Sequence, residues 1–198
     1  LKEIHEKLNI TMIYVTHDQL EAATFADEIA VMYEGKIVQF GTPQALFDHP
    51  NHTFVGYFIG SPGMNFVEVA VDQGRVNANN VALTLEKSLT TAACHTNSQN
   101  LKLGIRPEHI KLVEKPTANS YQGKVESIEA LGNHQIVTIA FANTQWRIRL
   151  AEHQVCPQSL VYFEMPAAHL KLYIDEYLCD VSDMAQQGLE AEHDQAAK

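Results

Sequence analysis

Basic residues are scarce in this sequence. Its 198 residues include 14 Lys and Arg against 24 Asp and Glu, a net charge of −10. Such a balance gives nucleic acid or an anionic membrane surface no electrostatic footing. Long hydrophobic runs are missing as well. The longest apolar stretches, residues 10–15 and 67–71, fall far short of the roughly 20 residues that cross a bilayer, so direct membrane insertion is not expected. Cysteine is sparse: Cys94, Cys156 and Cys179 are odd in number and form no C-x-x-C pair, a pattern of reduced thiols and not of a zinc site. The 10 histidines contain no H-E-x-x-H, and most read as surface or packing residues. The N-terminus has no apolar core with a cleavage site and no initiator Met. It reads as the middle of an amphipathic helix, and the chain is expected to begin mid-protein.

What is present divides in two. Over residues 1–62 the pattern is α/β. Leu1, Ile4 and Leu8 lie at helical spacing, and residues 10–15 form a short, nearly continuous apolar run suited to a parallel strand buried on both faces. Thr16-His17-Asp18 then leads into a helix that Asp18 is placed to cap, with Glu21 three positions on to complete a capping box. Segments 28–32 and 36–40 flank Glu34-Gly35, a hairpin signal in which Gly35 supplies a positive φ. Thr42-Pro43 opens a short helix, Pro50 ends it, and Asn51 is placed to cap the next, which runs to Ile59. Gly60-Ser61-Pro62-Gly63 is a linker signal.

From residue 63 the period changes from 3.6 to 2. Val67, Val69 and Val71 alternate, as do Val81, Leu83 and Leu85; Leu101, Leu103 and Ile105; Val137, Ile139 and Phe141; Trp146, Ile148 and Leu150; and Leu170, Leu172 and Ile174. Many short half-buried strands separated by Gly, Asn, Asp and Pro predict an all-β barrel or sandwich over residues 63–181. Residues 90–100 have the composition of a polar loop. Residues 182–198, rich in Gln, Glu, Asp and Ala, are expected to be a frayed helix or disordered.

Several strings carry a family resemblance. Tyr14-Val15-Thr16-His17-Asp18-Gln19-Leu20-Glu21-Ala22 resembles the switch loop of ABC ATPases of the maltose and glycerol-3-phosphate importer type. Phe25-Ala26-Asp27-Glu28-Ile29-Ala30-Val31-Met32, Gly35-Lys36-Ile37-Val38-Gln39-Phe40-Gly41-Thr42-Pro43 and Phe58-Ile59-Gly60-Ser61-Pro62-Gly63-Met64-Asn65 follow in the family's order. Leu103-Gly104-Ile105-Arg106-Pro107-Glu108-His109 then looks like the hinge sequence of the family's regulatory β domain, called TOBE.

The resemblance implies the C-terminal piece of a P-loop NTPase domain followed by a regulatory barrel of OB-like fold. The parent would be an ATP-hydrolysing importer subunit for a sugar or sugar phosphate, peripheral on the cytoplasmic face of the inner membrane and using ATP and magnesium. Implied partners are a second copy of the subunit, membrane-spanning importer subunits and a cytosolic regulator. His17 would contact the γ-phosphate in the intact dimer. A strand-to-helix corner is also where open α/β sheets bind ligands, and an imidazole there can donate a hydrogen bond to developing phosphoryl charge; the plainer reading is that His17 only shapes the turn. Gly104, Arg106, Pro107 and Glu108 are candidates for a regulatory hinge or dimer interface, or simply a structural corner.

Other features limit the chemistry of this chain by itself. It contains no G-x-x-x-x-G-K-[ST] phosphate cradle, no signature loop with paired glycines, and no acidic strand ahead of the switch. No ATP turnover and no cofactor are therefore expected of it alone. Leu172-Tyr173-Ile174-Asp175-Glu176 only superficially resembles a magnesium-binding strand end, and His49 and His52 are better explained by a cap and a solvated loop than by a metal. Trp146 beside Arg147 and Arg149 reads as a core Trp on a solvated strand, not as a nucleic-acid platform. After Leu172 the family's usual ending is replaced. A free-standing regulatory or small-ligand-binding TOBE protein without ATPase function is the alternative from another class.

Overall fold

Five tight turns set much of the chain's course. Glu34-Gly35, Gln73-Gly74, Asn79-Asn80, Ala142-Asn143 and Asp175-Glu176 all hold positive φ at both positions. Each is a two-residue connection between antiparallel strands, and this handedness matches the right-handed twist of the flanking strands. The turn at Asp175-Glu176 places both acids at a hairpin tip, where Ser98 Oγ donates to Asp175 and Lys102 pairs with Glu176.

The computed structural model describes Lys7 and residues 10–180 other than 155 and 158. The expected helix at residues 1–8 falls mostly outside the described residues, and the expected tail at 182–198 falls wholly outside them. The chain divides into one unit ending at Gly63 and another beginning at Met64.

In the first unit, helix α1 (Gln19–Phe25) precedes the hairpin of β1 (Ile29–Tyr33) and β2 (Lys36–Gly41), then α2 (Pro43–Asp48) and α3 (Thr53–Phe58). Its core is small: Val31, Leu46 and Val55, with Ile29, Val38, Phe54 and Ile59 packed on them. Thr42 caps α2 by accepting from the Ala45 N–H at 3.2 Å. The cap of α3 is His52, whose Nδ1 accepts from Phe54 N–H at 3.0 Å, and not Asn51. The imidazole is buried, so it both caps the helix and packs against Tyr33, ring centroids 5.5 Å apart. Asn51 could supply only the first function.

Residues 10–15 form no strand. A strand exists through its neighbours' hydrogen bonds, and the only sheet described in this unit is the antiparallel β1–β2 pair. The α/β layering expected for residues 1–62 is thus not formed among the described residues, and Ile13 and Val15 are each 90% exposed.

The second unit is mostly β. Strands β3 (Asn65–Asp72), β4 (Arg75–Ala78) and β5 (Val81–Leu83) precede helix α4 (Lys87–His95). Then come β6 (Leu101–Ile105), a first 3-10 turn (Pro107–His109), β7 (Lys111–Val113), β8 (Ser120–Ala130), β9 (His134–Phe141) and β10 (Thr144–Ala151). β11 (Leu160–Glu164), a second 3-10 turn (Ala167–His169), β12 (Lys171–Ile174) and β13 (Tyr177–Leu178) complete it. Two antiparallel sheets result, ordered β10-β9-β8-β11-β7 and β13-β12-β6-β3-β4-β5.

One core lies between these sheets. The inward residues of the alternating strands, Val67 and Val69, Leu101 and Leu103, Val137 and Ile139, Trp146 and Ile148, and Leu172, meet in it. Helix α4 takes up residues 90–95 of the loop expected at 90–100, and residues 96–100 remain loop. Leu89, Ala92 and Ala93 are its buried side.

Candidate functional site

The corner around His17 is held by short-range hydrogen bonds. Asp18 caps α1, its Oδ1 accepting from Leu20 N–H at 2.8 Å and Glu21 N–H at 3.1 Å. The capping box does not close. Asp18 N–H already donates to Thr16 Oγ1 at 3.0 Å, so the Glu21 carboxylate instead accepts from Thr16 Oγ1 at 2.8 Å and Tyr14 OH at 3.2 Å. That carboxylate, through the hydrogen bond first and its charge second, holds the Tyr14 phenol above its ordinary pKa. Gln19 Oε1 accepts from Gly60 N–H at 2.8 Å, tying the start of α1 to the loop after α3. His17 is exposed on the bend within this network.

These residues do not by themselves fit ATP or magnesium. No phosphate cradle exists in the sequence, and among the described residues no three His, Cys, Asp or Glu are grouped to hold a metal. His52 is a helix cap, and the His49 carbonyl accepts from Gln39 Nε2.

Gly104, Arg106, Pro107 and Glu108 lie together where β6 runs into the first 3-10 turn. The strand ends at Ile105, and Pro107 opens the turn. Gly104 is required by close packing. A Cβ there would sit 2.8 Å from Phe66 Cε1, 3.0 Å from Met64 Cε and 3.1 Å from Tyr173 Cε2. Phe66 and Tyr173 meet edge to face at 5.3 Å over this bare backbone. Tyr173 is buried with its OH 3.7 Å from Met64 Sδ, and burial pushes its phenol far above the ordinary range, with Arg106 opposing. Arg106 is 3% exposed, and its carbonyl closes the turn by accepting from His109 N–H at 3.1 Å.

Residues 60–110 match the family model of the MalK OB fold domain, and residues 103–170 match that of the TOBE domain. The chain carries a MalK-type OB fold domain and a TOBE domain. The OB match takes in β3 to β6 with the Gly104 packing site. The TOBE match begins at Leu103 and takes in both 3-10 turns. Over 135 residues the chain is 40% identical to the sn-glycerol-3-phosphate import ATP-binding protein UgpC of Bordetella parapertussis, covering 68% of this chain and 36% of that protein. It is 39% identical over 137 residues to the protein of the same name from Vibrio cholerae, covering 69% and 36%. With the maltose/maltodextrin import ATP-binding protein MalK of Mannheimia succiniciproducens it shares 43% over 140 residues, covering 67% and 37%. The chain therefore spans little more than a third of the length of these relatives. Among solved structures, the cytoplasmic molybdate-binding protein ModG overlaps at a TM-score of 0.38 and 13% identity, covering 56% of this chain and 84% of that one.

Sequence reasoning passed over two residues of the TOBE and OB domains that the structure brings forward. Asn65 had no role beyond its place in a motif. Its buried amide donates to Arg147 C=O and accepts from Arg147 N–H, both at 2.8 Å, joining β3 to the edge of β10 in the other sheet. His169 went unremarked although His169-Leu170-Lys171-Leu172 echoes His109-Ile110-Lys111-Leu112, a signal present in the sequence.

Proposed function

We propose that this chain is part of the ATP-hydrolysing subunit of a bacterial ABC importer for a sugar or sugar phosphate, its OB and TOBE domains being the regulatory part. One observation carries the reading: about two thirds of the chain is near 40% identical to proteins named as glycerol-3-phosphate and maltose import ATP-binding proteins. The first unit supports it. Ile13, Val15, Met32, Ile37 and Phe40 are 61–90% exposed, more apolar surface than a small finished unit leaves to water. Further strands and helices of a nucleotide-binding domain would cover it. ATP and magnesium then belong to regions of the parent that bring a phosphate cradle, and His17 is the residue of this chain that meets the γ-phosphate. The segment Gly104 to Glu108 serves as hinge or dimer contact, with a second subunit, membrane-spanning subunits and a cytosolic regulator as partners. No described helix is long and apolar enough to cross a membrane, and the parent works as a peripheral subunit at the cytoplasmic face of the inner membrane.

The separate, well-packed core of the second unit favours a second reading, a free-standing regulatory protein. The reading frame upstream of Leu1 separates them. An in-phase P-loop and signature sequence is expected, and a start codon immediately before Leu1 overturns the importer reading. Biochemically, the 198-residue chain should hydrolyse no ATP. In the parent, His17→Ala should lower turnover by about 100-fold or more, the cost of losing one preorganised donor, while leaving ATP binding in place. Undiminished turnover in that variant removes His17 from the reaction.

A further inference from the structure

The two 3-10 turns of the second unit are copies of one device. Pro107–His109 and Ala167–His169 each end in a histidine followed by an apolar residue, Lys and Leu. Their closing bonds match, His109 N–H to Arg106 C=O at 3.1 Å and His169 N–H to Pro166 C=O at 2.9 Å. Each turn carries the chain from one sheet to the other, in opposite directions. β6 leaves the six-stranded sheet for β7 in the five-stranded one, and β11 makes the reverse passage to β12. Before and after the turns the two segments pair antiparallel, Gly104 with Lys171 and Glu164 with Lys111. The crossovers are therefore related by a local two-fold. The imidazoles of His109 and His169 meet there, centroids 3.8 Å apart and planes within 7°.

We propose that the His109–His169 stack is a proton-operated clasp that holds the two sheet crossovers together when neutral and releases them when both rings are protonated. Neutral rings stack face to face with little cost; two imidazolium ions at that spacing repel. Among the described charges acting on His109, Glu108 opposes the repulsion while His169, Arg106 and Lys171 add to it. His109 faces His169 and Lys171 from the second crossover, and Glu108 and Arg106 from its own turn. β10, which packs on the first turn, brings Arg147 and Arg149. Glu108 is the one carboxylate in this set. His169 is exposed and His109 half-buried, so bulk protons reach the pair. The clasp uses only residues of this chain and stands whether or not the importer reading holds.

Hydrogen exchange on the full chain tests the clasp, comparing about pH 7.5 with about pH 5.5 after correction for intrinsic rates. Backbone amides around 105–113 and 165–173 should lose protection at the lower pH, by up to roughly sixfold once both rings are charged, the Boltzmann factor for two unit charges at 3.8 Å in a water-like dielectric. His169→Phe keeps a ring in the stack and removes the second charge; its protection there should change with pH clearly less than in the native chain, the remainder coming from the burial of His109. Unchanged protection in the native chain, or an equal change in the variant, overturns the proposal. Should the variant fail to fold, the native chain still decides. In a side-chain NMR titration the His109 ring must show a second step as the ring stacked on it takes up charge, and an independent single-site curve for His109 refutes the clasp.

Discussion

Replacing Asn65 with Ala should destabilise the second unit by about 1–3 kcal/mol, two hydrogen bonds at the usual net worth of each. The two bonds, each 2.8 Å, run to the N–H and C=O of Arg147 on an edge strand, so their loss also unlinks the sheets at one point. Water can partly replace the amide at this edge, which holds the cost near the lower half of that range. At roughly 4 °C per kcal/mol for a domain of this size, the melting temperature should fall by about 4–8 °C. Asn65→Asp separates hydrogen bonding from packing: it keeps the acceptor for Arg147 N–H but turns a second oxygen towards Arg147 C=O, and should cost no less than Ala at neutral pH. The assay is intrinsic fluorescence. Trp146 is the single Trp of the chain and lies buried in the second unit's core, so its emission follows that unit alone during heating. Melting temperatures for both variants within about 2 °C of the native value would refute the assignment of Asn65 as a link between sheets.

Gln73→Asn creates Asn-Gly in an exposed turn whose two φ angles are 49° and 75°. It should stabilise the unit by several tenths of a kcal/mol, up to about 1, seen as a small rise in melting temperature. Leu172 is fully buried between the sheets, and Leu172→Ala should cost about 2–5 kcal/mol in denaturant unfolding. The half-exposed Leu160 should cost much less on the same change. Stability should also fall in acid in a set direction. Burial first, then the His169 charge, lowers the pKa of His109 in the folded state. The unfolded chain thus takes up this proton first as pH drops below about 6.5. The contribution is full above that value and is lost as pH falls through the folded pKa. His109→Phe should flatten this part of the profile.

Much of the second unit's strand structure was readable from period-2 alternation, because burying one face of a sheet demands it. Val67 and Val69, Leu101 and Leu103, and Trp146 and Ile148 all point inward. β8 escaped notice because most of its side chains are exposed, leaving no contrast between its faces. α4 was hidden by a polar composition around the small residues Ala92 and Ala93. Residues 10–15 mislead in the opposite direction: they have the composition of a buried strand, but no described strand of this chain lies beside them. At the switch corner the Asp18 cap was legible, whereas the choice of Glu21's partners depended on which hydroxyls the fold brought near.

By itself, then, the sequence determined local preferences: where strands alternate, where a hairpin turns at Glu34-Gly35, and which motifs carry family likeness. Tertiary structure alone decided the order of strands in the two sheets, the bare backbone at Gly104 beneath Phe66 and Tyr173, and the meeting of His109 with His169 across 60 residues. Local preference acts over a few bonds of chain. Contacts between distant segments exist only once the sheets have closed around a shared core, and the same residue letters could have met many other neighbours before that closure.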